Sequence, residues 1–114
     1  MQLHKVFFSV FLFFFASNFC HATEFSAPIE KILIYGDGAL VYVFPVGGVP
    51  GAPACHGKNG DYLSFSLTRP HAKEYYAGLL VAFASGKSVL FRGRNTCTDQ
   101  SYSETLDYFM ILKN

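Results

Sequence analysis

Cys55 and His56 are adjacent. A thiol beside an imidazole is the pairing that makes cysteine nucleophilic, because the base draws off the proton that keeps sulfur inert. His71 is a further imidazole, and Asp99, Glu104 and Asp107 lie close enough in sequence to suggest the two carboxylates of a glycosidase. None of these readings finds its remaining parts. Cys55 has a stronger use as half of a disulfide, and His71 falls in the first turn of a helix, where it faces water. Nearness in sequence alone does not set two carboxylates across a glycosidic bond. His56 and His71 accompany the cysteines without the tight ligand spacing of a zinc site. Gly36, Asp37 and Gly38 do not lead into a helix, so they are no phosphate loop. The expectation is a protein that is not an enzyme, with no catalytic residue, no metal and no cofactor.

Binding asks for less. Asn95, Thr96, Thr98, Asp99, Gln100, Ser101, Tyr102 and Ser103 form a dense set of donors and acceptors around one aromatic ring. Sugars are held by such groups, with the ring packed on an aromatic face. Arg92 and Arg94 precede the stretch and offer a fork for a carboxylate such as that of a sialic acid. The residues expected to bind ligand are Arg94, Asp99, Gln100, Ser101 and Tyr102.

These residues need elements to position them. KILIY (31–35) and ALVYVF (39–44) are apolar, rich in β-branched residues, and separated by an Asp-Gly turn, which reads as a hairpin. A loop rich in Pro and Gly follows from Pro45 to Asp61. Tyr62 to Leu67 alternates, with Leu63, Phe65 and Leu67 on one face and Tyr62, Ser64 and Ser66 on the other. Ala72, Tyr75, Tyr76, Leu79, Leu80 and Phe83 recur at helical spacing, with Thr68 or Arg69 as the expected cap, Pro70 in the first turn and Gly86 closing the end. The opposite helix face, with Ala77, Gly78, Val81 and Ala84, is small and barely polar and is expected to press on another surface. SVLFR (88–92) and LDYFMIL (106–112) read as the last two strands.

The first 22 residues read as a cleavable secretory signal peptide: His4 and Lys5, an apolar run from Val6 to Ala16, and a polar stretch ending at Ala22. The run is about half the length that a membrane-spanning helix needs, so no membrane span is expected after cleavage. The expected product, residues 23 to 114, is a single domain, secreted or periplasmic. Beyond Ala22 eight Lys or Arg balance eight Asp or Glu, which argues against nucleic acid as a partner. Loss of Cys20 leaves Cys55 and Cys97, in an oxidising compartment most simply a disulfide.

Three strands, a helix and two strands in about 90 residues fit a β-rich (α+β) fold, a small five-stranded OB-fold-like barrel with its helix between strands three and four. In that barrel strands three and five run side by side, so the loops holding Cys55 and Cys97 open at one pole. Several strands are apolar on both faces, among them Val41 and Val43 opposite Leu40, Tyr42 and Phe44. One small barrel has one interior, so the rest must be covered by the helix or a neighbouring chain.

The stretches ILIYGDGAL, YLSFSL, SGKSVLFRG and NTCT, with the export signal and the element order, resemble small exported proteins related to the receptor-binding B subunits of bacterial AB5 toxins, of the subtilase-cytotoxin and pertussis-like kind. The resemblance implies an OB-fold, a homo-oligomer of five protomers, glycan binding and a catalytic A-type chain as partner. The alternative is an exported structural or interaction protein whose apolar faces bind a protein partner, without glycan binding or catalysis.

Overall fold

The computed structural model describes residues 22–37, 39–57 and 60–114; the expected signal peptide, apart from Ala22, lies outside them. In chain order the elements are β1 (Glu24–Tyr35), β2 (Leu40–Pro45), β3 (Leu63–Ser66), α1 (Ala72–Ser85), β4 (Ser88–Gly93) and β5 (Leu106–Ile111). The sheet runs β3-β2-β1-β4-β5, every neighbouring pair antiparallel. β3 meets the residue just before β5 at a parallel bridge between Ser64 and Thr105, where the Ser64 N–H donates to the Glu104 carbonyl at 3.1 Å. That contact closes the expected five-stranded barrel, with the helix between strands three and four.

β1 is longer than its apolar run indicates, and it serves both halves of the barrel. Glu24 to Pro28 pair with β4, and Ile29 to Tyr35 pair with β2. Between Ile29 and Lys31 the register slips by one residue. An extra residue in a strand moves every later side chain to the opposite face. Thus Phe25, Ala27 and Ile29 turn inward before the slip, and Ile32 turns inward after it. The first half escaped the sequence pattern because Pro28 and Glu30 interrupt its alternation.

The interior is lined by Val41 and Val43 of β2, Leu63 and Phe65 of β3, and Val89 and Phe91 of β4, all fully buried. Burying a side chain of this size contributes about 1.5–3 kcal/mol. The helix plugs the barrel with Ala72, Leu79 and Ala82, flanked by Tyr75 and Tyr76. Leu80 and Phe83, which helical spacing places on the buried face, are 38% and 45% exposed. The contact is a narrow stripe because a barrel of five strands offers a helix little width. Gly78, half-buried, faces Phe109 of β5: a Cβ there would lie 2.9 Å from that ring. The ring needs that gap.

The helix start also differs from expectation. His71 is the N-cap, left-handed at φ 61° and exposed, and its side chain caps nothing. Thr68 bonds instead to Ser66, and the Arg69 guanidinium lies over the Phe65 and Tyr75 rings and donates to the Leu106 and Asp107 carbonyls. Arg69 therefore fastens the helix entry to β5. The expected cap at Gly86 is present, left-handed at φ 66°, a conformation glycine adopts freely.

Cys55 and Cys97 form the expected disulfide. Their separation of 42 residues corresponds to about 4 kcal/mol of loop-closure entropy taken from the unfolded chain. Cys97→Ser should lower the urea-unfolding free energy by up to about 4 kcal/mol with the far-ultraviolet circular dichroism unchanged; an unaltered midpoint would contradict this. Gly78→Leu should destabilise the protomer by about 1–3 kcal/mol through the clash with Phe109, and Phe109→Ala in the same chain should recover part of the loss. A Gly78→Leu protein as stable as the parent would remove this contact from the account.

Candidate binding cleft

The bulge in β1 puts Leu33 and Tyr35 on the outside of the barrel, opposite Tyr42 and Leu40 of β2. This outer face is aromatic. Tyr35 stacks on Tyr42 at 5.6 Å, Tyr42 on Tyr62 at 4.3 Å, and Tyr62 leans on Phe44 at 5.0 Å. Offset stacking of such rings is worth roughly 0.5–1.5 kcal/mol a pair beyond their burial. The ladder floors an open cleft of about 520 Å³, and Gln100, Ser101 and Tyr102 of the β4–β5 loop form another of its walls. Strands two and three with the β4–β5 loop are where OB-folds take oligosaccharides and oligonucleotides.

The loop is built, not loose. The Thr105 hydroxyl accepts from the Thr98 and Asp99 N–H groups at 2.9 and 3.1 Å, and the Thr105 N–H donates to the Thr96 carbonyl at 2.8 Å. The loop then lies along β3: Ser103 and Ser64 share a hydroxyl bond, both fully buried, and the Ser66 N–H donates to Asp99 Oδ2 at 2.8 Å. For this reason β3 is buried on both faces, although its alternation reads as a strand with one wet side.

Gln100 fixes the aromatic floor. Its Nε2 donates to the Tyr62 and Tyr42 hydroxyls at 3.0 and 3.3 Å, and its Oε1 accepts from the Tyr102 N–H and the Ser103 hydroxyl at 2.8 and 3.1 Å. An amide has two donors and two acceptor positions. All four are taken, so Gln100 holds the cleft in shape. Tyr35 and Tyr102 are the open surfaces, 54% and 62% exposed. Burial, and next the neighbouring Tyr42, push the Tyr62 hydroxyl above the ordinary tyrosine value.

A second brace ties the cleft to the loop between β2 and β3. Beside the Cys55–Cys97 bridge, His56 Nδ1 accepts the Glu104 N–H at 3.0 Å, its Nε2–H donates to Asp61 at 3.1 Å, and the Gly57 N–H donates to the Tyr102 carbonyl at 2.6 Å. The adjacent cysteine and histidine thus both act as fasteners. Glu104 is fully buried, its Oε2 accepting the Asn95 N–H, and Asp107 faces Arg94. Among the described residues no three His, Cys, Asp or Glu side chains gather as a metal site would require.

Of the five residues expected to bind ligand, the structure brings Gln100, Ser101 and Tyr102 to the cleft and leaves two elsewhere. Asp99 is occupied by the β3 backbone, and Arg94 Nε donates to Asp107 at 3.1 Å. Arg92 pairs with Glu24 at 2.6 Å. The two arginines therefore do not converge on the cleft as a carboxylate fork. Sequence reasoning missed Tyr35, Tyr42 and Tyr62 as site residues. The signal that marks them is the apolar outer face of the hairpin.

The unfolded chain gives up the Tyr62 hydroxyl proton near the ordinary value of about 10, before the folded one does. The contribution of this group is whole below about pH 10 and is lost as pH rises through the higher folded value. Urea midpoints measured from pH 8 to pH 11 should fall less steeply for Tyr62→Phe than for the parent, and identical slopes would contradict the assignment. Comparison with protein-family models, with curated proteins and with solved structures finds no match for this chain.

Proposed function

We propose that this is an exported, non-catalytic binding module that holds carbohydrate in the cleft between the β1–β2 hairpin and the β4–β5 loop. The observation that carries the reading is the tyrosine ladder with its phenols locked by Gln100. A sugar ring presents an apolar face of C–H groups and a rim of hydroxyls. Exposed Tyr35 and Tyr102 offer rings to the first, and the Ser101 hydroxyl and the phenols offer partners to the second. The disulfide suits an oxidising compartment. Among the described residues no helix is long and apolar enough to cross a membrane.

The proposed assembly is a ring of five protomers serving a catalytic A-type chain, as the resemblance to toxin B subunits implies. Apolar surface supports association: Val81 is 61% exposed on α1, and Met110 and Ile111 are 49% and 42% exposed on β5. The same surface favours the second reading, an exported interaction protein that binds a protein partner and no sugar.

A glycan array probed with the intact protein should show saccharide binding. Tyr35→Ala should weaken it by roughly tenfold, the equivalent of about 1.4 kcal/mol, while the far-ultraviolet circular dichroism at 25 °C stays that of the folded parent. A folded protein that binds no saccharide would leave the partner reading in its place, and light scattering that shows a stable monomer would remove the ring.

A further inference from the structure

We infer that the cleft takes a neutral saccharide, held by ring stacking and phenol hydroxyls, and that carboxylated sugars such as sialic acids are poor ligands; the inference rests on the carbohydrate reading above. The walls of the cleft carry only apolar, aromatic, amide and hydroxyl groups. Among the described residues, most charged groups around it are occupied. Arg92 faces Glu24, Arg94 faces Asp107, and Arg69 is spent on the Leu106 and Asp107 carbonyls. The Lys31 ammonium, at the Phe44 end, sits 4.4 Å from that ring's centroid. On the acidic side, Asp99 accepts from β3, and Asp61 accepts from the Val49 N–H and from His56.

A carboxylate brought onto the tyrosine floor would leave water and, among the described lining residues, meet no cation, Lys31 standing at the Phe44 end; an unpaired charge taken out of water is costly. A hydroxyl or acetamido group meets no such penalty. The Tyr42 and Tyr62 oxygens accept from Gln100 and both residues are buried, so the phenols open to a ligand are those of Tyr35 and Tyr102, each with an O–H to give. Ligand oxygens that accept, such as ring ethers, hydroxyls and acetamido carbonyls, match this supply.

The test is titration calorimetry of the intact protein with a panel of neutral oligosaccharides and their sialylated or uronate-bearing counterparts, at 20 and 500 mM salt. The parent is compared with Lys31→Met, Arg92→Ala, Arg94→Ala and Tyr35→Ala. The expected result is binding by neutral members, changed less than twofold by salt or by the three charge substitutions, and weakened roughly tenfold by Tyr35→Ala. Tighter binding of acidic members, lost in high salt or with Lys31→Met, would overturn the neutral assignment while carbohydrate binding stands. Failure of a folded protein to bind any member would overturn both.

Discussion

β3 is an outer strand of only four residues, and it cannot stay in the barrel unless its polar groups are paired. The β4–β5 loop supplies that pairing. Asp99 takes the Ser66 N–H, Glu104 takes the Ser64 N–H through its carbonyl, and Ser103 meets the Ser64 hydroxyl. The remaining features of the molecule follow from this stitching. It closes the sheet, buries β3 on both sides, and brings Gln100 over the phenols of Tyr42 and Tyr62. A loop that looks solvated in composition is therefore the last wall of the barrel and the first wall of the cleft.

The disulfide and the His56 bonds act on the same loop from the other side. Three consecutive residues, Cys55, His56 and Gly57, each reach it, by a covalent bond to Cys97 and by hydrogen bonds to Glu104 and Tyr102. Buried polar networks are costly unless each member is satisfied. Here the members pair with one another across three elements, Glu104 Oε1 being left without a partner among the described residues, and the cleft gains a wall without an extended core behind it. Residues that look like a nucleophile and its base serve as structure.

Much of the fold is legible in the chain because local rules agree with one another. The β-branched runs, the helical spacing ended by Gly86 and the paired cysteines each point to an element found in the structure. The start of β1 was hidden by Pro28 and Glu30, and the helix begins later than its pattern indicates, with left-handed His71 as the cap and Pro70 outside the first turn. The site was half legible. Polar loop residues announce themselves, yet Asp99 and Gln100 turn out to be engaged within the protein. The tyrosines read as ordinary strand residues until the bulge in β1 shows which face they share.

The central claim is that the tyrosine-floored cleft is where the ligand sits. The most direct measurement is the amide and aromatic nuclear magnetic resonance spectrum of the labelled protein during titration with a neutral oligosaccharide. The account predicts shifts confined to Leu33, Tyr35, Tyr42, Tyr62 and the loop from Gln100 to Tyr102. Shifts centred on Leu80, Val81 and Phe83 of the helix, with the tyrosines unmoved, would contradict it.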